Sequence, residues 1–140
     1  MSQTNIQPGE VVFTAKEDLT GKEARLVVLV NDSGAAKVRL PDAITDLAFY
    51  VVTDVNGVAG GPVSVIPLST CGNVRVALSG TCVPGDVLVL ATPDGTVDGM
   101  VTKIPSTAGN YRAVGIAEET GADGQHVRMR PFFGMVTVTE

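Results

Sequence analysis

Short apolar runs, several of them alternating with polar residues, are the dominant pattern along this chain. Alternation is clearest over residues 36–40 and 74–78, where every second side chain is aliphatic. A period of two places successive side chains on opposite faces of a β-strand. Residues 25–30 are instead almost continuously apolar, which is typical of a strand buried on both faces. The pattern therefore predicts strands rather than amphipathic helices.

Turn signals separate these runs at spacings of about 8–12 residues. Asn31–Gly34 predicts a hairpin with a four-residue loop between residues 25–30 and 36–40, and Asp94-Gly95 predicts another turn. We predict strands over residues 10–15, 25–30, 36–40, 49–53, 63–66, 74–78, 86–91, 96–103, 111–118, 125–130 and 133–139. One helical turn is predicted over residues 41–46, with Asp42 as its N-cap.

The predicted fold class is all-β, because regularly spaced strands favour a sandwich or a barrel over β-α-β units. We expect an antiparallel β-sandwich, jelly-roll-like, with little or no helix. Valine occupies roughly one position in six, and its branched side chain suits strands. Residues 10–140 are predicted to form a single domain, preceded by an extended flexible arm over residues 1–9 that ends in Pro8-Gly9.

Composition points to a protein covered by partners. Charged residues make up 18% of the chain, against about 25% in an average domain. We therefore expect neighbouring subunits to cover part of the surface, the alternative being a compact monomer with a Thr/Ser/Gly surface. The net charge is −5 and the ten basic residues are scattered, which argues against nucleic acid as a partner.

Neither a membrane nor a secretory location is expected. Apolar stretches such as Leu26–Val30 are too short to span a bilayer. Met1–Asn5 has no basic region followed by an apolar region, so we expect synthesis in the cytoplasm. Cys71 and Cys82 lack metal-binding spacing, and a reducing compartment favours two buried free thiols over a disulfide.

No group of residues predicts catalysis, a metal site or a cofactor. His126 is the only histidine and opens an alternating segment, which favours an exposed strand position. Asp94 with Asp98, and Asp54 with Asn56, would suit calcium, but they lack the ligand spacing of a calcium loop and fit turns instead. We expect no enzyme.

Several segments together resemble the small capsid cement, or head decoration, proteins of tailed phages. In chain order, the segments are Ala15–Gly21, Arg25–Val27, Val63–Leu68, Gly72–Gly80, Val83–Leu88, Asp94–Thr96, Ala113–Glu119 and Gly124–Met129. The resemblance extends over residues 15–138. Residues 35–61 do not match it, and Pro131–Phe133 is particular to this chain.

The resemblance implies a structural virion protein on the outer surface of a phage capsid. Such a protein would stabilise contacts between major capsid subunits and form a homodimer or homotrimer. We place candidate partner contacts on the arm and on exposed apolar positions: Ile6, Pro8, Val11, Phe13, Phe132, Phe133 and Met135. An alternative is that Phe133 and Met135 belong to the core.

Two other functions stay open. A glycan- or receptor-binding β-sandwich is one, although such modules usually present Trp or Tyr and this chain has only Tyr50 and Tyr111. A small oligomeric hydrolase similar to dUTPases is the other, on the resemblance of Ala108–Arg112 to a nucleotide-binding loop.

Overall fold

The computed structural model describes residues 9–70 and 72–139, and within them it contains ten strands and no helix. The strands are β1 (Val11–Ala15), β2 (Leu26–Asp32), β3 (Ala35–Arg39), β4 (Tyr50–Val52), β5 (Pro62–Pro67), β6 (Val74–Ala77), β7 (Val87–Leu90), β8 (Val101–Lys103), β9 (Gly109–Ala117) and β10 (His126–Val138). The predicted arm falls almost entirely outside the described residues, and the domain boundaries stay a prediction. No helical segment among these residues is long and apolar enough to cross a membrane.

Each half of the chain forms its own sheet. β1–β5 close into a five-stranded barrel in the order β1-β3-β2-β4-β5, and β6–β10 form a five-stranded sheet in the order β6-β10-β9-β7-β8. All strand pairs are antiparallel except β1 with β3. The prediction of an all-β, sandwich-like fold is confirmed. The jelly-roll topology is not confirmed, because the two sheets are built from consecutive halves of the chain.

The predicted hairpin is formed by β2 and β3, with a tighter loop than expected. Asp32 still pairs with Ala35, which leaves Ser33 and Gly34 as the loop. Both have positive φ, 52° and 88°, as a type I′ turn requires. The Asn31 side chain accepts a hydrogen bond from the Gly34 N–H at 2.8 Å.

Strand β2 is buried on both faces over its first three residues, as its continuous apolar run predicted. Val27 belongs to the cluster that fills the barrel. Leu26 and Val28 belong to a second cluster shared with the other sheet, which includes Leu78 and Met129. The main core therefore lies between the barrel and the five-stranded sheet.

Three hydrogen bonds hold the barrel against the turn before β8. Leu26 N donates to Gly99 O at 2.7 Å, and Arg25 Nη1 donates to the carbonyls of Thr96 and Asp98. Gly99 has φ +79°, and a Cβ there would lie 2.5 Å from Leu26 O. This position accepts only glycine without a shift in the backbone.

The helical turn predicted over residues 41–46 is wrong. The carboxylate of Asp46, rather than that of Asp42, accepts the backbone N–H groups of Asp42 at 2.7 Å and Ala43 at 3.3 Å. These bonds fold the segment into a turn, and the carboxylate that holds it comes from the end of the segment instead of from the predicted N-cap. Arg39 also donates to Asp46, at 3.3 Å.

Candidate protein-interaction surface

The second half of β10 extends beyond the body of its sheet. β10 pairs with β6 over residues 126–129 and with β9 over residues 129–138. From Pro131 onward, the strand has β9 as its only paired neighbour among the described residues. Its backbone groups on the other side therefore lie at a sheet edge, where a strand is least covered.

A bulge brings two phenylalanines to the surface of this segment. Pro131 pairs with Gly115 and Gly134 with Ala113, so β10 takes three steps where β9 takes two. The extra residue breaks the alternation, and both Phe132 and Phe133 are 44% exposed. Met135 is 64% exposed. The alternative that Phe133 and Met135 belong to the core is therefore wrong.

A loop from the barrel lies against this exposed half. The ring of Phe49 packs edge-to-face on Phe133, with centroids 5.1 Å apart. Arg112 Nη1, on β9, donates to Thr45 O at 2.9 Å. Ile44 in the same loop is exposed. We call Ile44, Phe49, Phe133 and Met135 the apolar face.

A cavity of about 140 Å³ opens beside the apolar face. Its walls are the loop residues Ile44 and Thr45 together with side chains of β7–β10 and of the β8–β9 connection. They include Val89, Leu90, Pro105, Arg112 and Met135. We call this cavity the side pocket. Met135 and Arg112 are cross-strand partners, which places both at its edge.

The loop that borders the side pocket is held by Asp46. The backbone N–H of Asp42, aided by Arg39 and the N–H of Ala43, holds the pKa of the Asp46 carboxyl below its ordinary value. Hydrogen bonds to the charged form thus outweigh the opposing effect of burial. At neutral pH Asp46 is therefore a carboxylate, the form that accepts these hydrogen bonds.

The other predicted contact residues have different positions. Ile6 and Pro8 lie outside the described residues. Val11 and Phe13 are half-buried and pack against the barrel core, where Phe13 meets Tyr50 edge-on at 5.5 Å between centroids. Val12, between them, is 60% exposed. A partner-binding role for Val11 and Phe13 stays a prediction.

The histidine and the described cysteine do not form a reactive group with each other. His126 is exposed at the start of β10, as predicted, and lines a second cavity of about 400 Å³ with Glu23 and Arg75. Its imidazole has no hydrogen bond or ion pair with any described residue. Cys82 is a buried free thiol whose pKa is raised by burial, and Cys71 lies outside the described residues.

Asp94 and Asp98, two of the carboxylates considered for calcium, hold a turn. Asp98 accepts the N–H groups of Asp94 and Gly95, and Asp94 accepts those of Thr96 and Val97. The bonds from Val97 and Thr96 lower the pKa of the Asp94 carboxyl. Residues 9–70 and 72–139 contain no cluster of three or more His, Cys, Asp or Glu that would hold a metal ion.

The two tyrosines lie on different sheets, in β4 and in β9. Tyr50 is half-buried against Phe13, and the Tyr111 hydroxyl donates to Thr107 O at 2.9 Å. The segment 108–112 enters β9 instead of forming a loop for a nucleotide.

Sequence reasoning did not find Ile44, Phe49 or Arg112 as parts of this surface. Thr45 and Arg112 are 67 residues apart, so no local pattern joins them. The one local signal was the presence of apolar residues in a segment rich in turn formers. Ile44 and Leu47 are 47% and 54% exposed.

Comparison with known proteins gives a likeness in fold. No family model matches the chain, and no curated protein matches it. Among solved structures, it is similar to the crystal structure of the head fiber gp8.5 N base of bacteriophage phi29. The TM-score is 0.63 at 20% sequence identity, and the match covers 88% of this chain and 92% of the other. The two chains share their fold.

Proposed function

We propose that this protein is a structural component of a tailed-phage virion that binds the outside of the head. The observation that carries the proposal is the shared fold with a phage head-fiber base over 88% of the chain. The order of the turn and strand motifs, which resembles head decoration proteins, supports the same location. The major capsid protein is the proposed partner, and we propose that the protein works without catalytic turnover.

The surface of the described residues suits such a role. Exposed apolar side chains cluster on the apolar face, and a chain with 18% charged residues has few charges to keep a second protein away. Each contact need only be modest, because binding is repeated across a lattice of identical subunits and through the linked copies of an oligomer.

Two forms of this function differ in what binding does to the head. A cement protein stabilises contacts between capsid subunits, as the sequence resemblance implies, and does so as a homodimer or homotrimer. A fiber base, which the fold likeness favours, anchors an appendage and has no need to stabilise the shell. We propose the cement role, with the fiber base as the second candidate.

Binding to heads purified without this protein tests the proposal. Purified chain should co-sediment with these heads and reach saturation at a fixed ratio to the capsid subunit. For a cement protein, saturation should also raise the temperature at which the heads disassemble. Binding without that rise would favour the fiber base. No co-sedimentation would contradict both forms.

Two further measurements address the arm and catalysis. Deleting residues 1–9 should weaken head binding if the predicted arm takes part. If the truncated and unaltered chains occupy the heads equally, the arm has no part in binding.

Hydrolysis of dUTP by the purified protein, lost in Tyr111→Phe, would favour the hydrolase alternative instead.

A further inference from the structure

We propose that the side pocket receives one apolar side chain of a capsid subunit, while a carboxylate next to that side chain pairs with Arg112. This inference rests on the proposed function and names the contact through which head binding would occur. Four observations on the described residues carry it: the size of the pocket, the bonding of Arg112, the state of the other polar groups, and the continuity of the apolar face.

The size of the side pocket fits a single side chain. Its volume is about 140 Å³, and a cavity of roughly 150 Å³ is enough for a benzene-sized molecule. Ile44, Val89, Leu90, Pro105 and Met135 supply apolar walls. Burial of a leucine or phenylalanine side chain there would remove apolar surface from water on both partners.

Arg112 is the one charged residue among the described residues that line the pocket. Its hydrogen bond from Nη1 to Thr45 O uses one of the five N–H donors of a guanidinium. It forms no ion pair with a described carboxylate. The described arginines that do contact carboxylates are Arg39, Arg75, Arg128 and Arg130. The free donors of Arg112 therefore suit an incoming carboxylate, which a guanidinium binds in a forked geometry.

Two polar groups that line the pocket beside Arg112 already have partners. Asn110 Oδ1 accepts from the Thr137 hydroxyl at 2.8 Å, and the Tyr111 hydroxyl donates to Thr107 O. The Tyr111 hydroxyl hydrogen is therefore engaged, and the amide N–H groups of Asn110 would add donors for a carboxylate bound by Arg112. An apolar residue adjacent to an aspartate or glutamate is thus the side-chain pair that complements the pocket in shape and charge.

Continuity with the apolar face favours a protein over a small molecule. Met135 belongs to both the pocket wall and the apolar face, and Phe133 and Phe49 extend that surface away from the pocket. A ligand confined to the pocket would leave those rings exposed. A capsid segment lying across them would cover the rings and place one side chain in the pocket, as anchor residues do at interfaces.

Head binding by a matched pair of charge insertions tests the proposal. Met135→Asp places a carboxylate beside the pocket, and Val12→Asp places one at an equally exposed valine on the barrel, 60% against 64% exposed. We expect Met135→Asp to weaken binding to purified heads at least tenfold and Val12→Asp to leave it within twofold. Arg112→Gln should also weaken binding at least tenfold, and Arg112→Lys should weaken it less.

Each outcome of this experiment decides the matter. If the unaltered chain binds heads and all four variants bind equally well, the pocket inference is wrong and the proposed function stands. If the unaltered chain does not bind, both fail. Equal weakening by Met135→Asp and Val12→Asp would also overturn the inference.

Folding and self-association are checked on the same samples. If Met135→Asp unfolds at a lower temperature than the unaltered chain, it is replaced by Met135→Gln. That change keeps the length of the side chain and should still weaken binding. If Met135→Asp alters the sedimentation of the isolated protein and leaves head binding unchanged, the apolar face contacts a second copy, and the inference is overturned.

Discussion

The two halves of strand β10 differ sharply in burial although both are rich in apolar residues. Val127 and Met129, in the first half, are 1% and 0% exposed, whereas Phe133 and Met135 are 44% and 64% exposed. The first half pairs with β6 over residues 126–129, meets β9 at Met129 and has the barrel over its inner face. The second half is paired with β9 alone. Burial is therefore set by the number of neighbouring elements as well as by the apolar character of the strand.

Met129 and Met135 should give the largest difference in the free energy of unfolding between the two halves of β10. Met129→Ala should lower the free energy of unfolding by about 2–5 kcal/mol, because it leaves a cavity in the core between the sheets. Met135→Ala should change it by about 0.5 kcal/mol or less, as is usual at exposed positions. Urea denaturation of both variants measures the contrast. Equal losses would mean that the second half of β10 is covered in the isolated protein.

A pair of glycines on the same two strands gives a smaller contrast. A Cβ at Gly115 would meet the side chain of Met129 and lie 2.7 Å from Arg130 O, whereas one at Gly134 would meet the ring of Phe132 at 3.2 Å. Gly115→Ala should cost about 1–3 kcal/mol through overpacking. At Gly134 the exposed ring is free to move, and the change should stay within about 0.5 kcal/mol. Thermal unfolding of the two variants distinguishes these cases, and a larger loss at Gly134 would contradict the comparison.

Low pH should weaken the loop that Asp46 holds beside the exposed half of β10. The pKa of Asp46 is lowered in the folded protein, chiefly by the N–H of Asp42, so the charged form stabilises the fold above the ordinary carboxyl pKa of about 3.9. That contribution is lost as the pH falls through the lowered pKa. Asp46→Asn should therefore melt below the unaltered chain at pH 7, by a margin that narrows towards pH 3.

The control for the acid experiment is Asp42→Asn in the same loop, where the carboxylate side chain is 83% exposed. Its melting temperature should differ little from that of the unaltered chain at either pH. A margin for Asp46→Asn that stays constant with pH would show that its carboxylate does not hold the loop.

The sequence was sufficient for the fold class and for most strands, because alternation and turn residues are local. Residues 36–40 and 74–78 correspond closely to β3 and β6. The strand predicted over 96–103 is shorter, since Asp94 and Asp98 hold the preceding backbone in a turn and only Val101–Lys103 remains. Side-chain bonds to the backbone of this kind leave no periodic signal.

Features that depend on contacts between distant parts of the chain were harder to predict from the sequence. Pro131 marked a break between two predicted strands, yet β10 runs through it, because the bulge accommodates a residue without an N–H. The exposed positions Phe132, Phe133 and Met135 were found from their apolar character near the end of the chain. Arg112 and Ile44 were missed, since they reach that surface only after the barrel docks on the second sheet.

Because each sheet is built from one half of the chain, the protein should be able to assemble from two separate fragments. One covalent connection, between Pro67 and Val74, joins the strands of the barrel to those of the second sheet. A chain cut there would retain every strand pair within each fragment. Each fragment would also carry one side of the shared core, and burial of that surface would draw the two fragments back together.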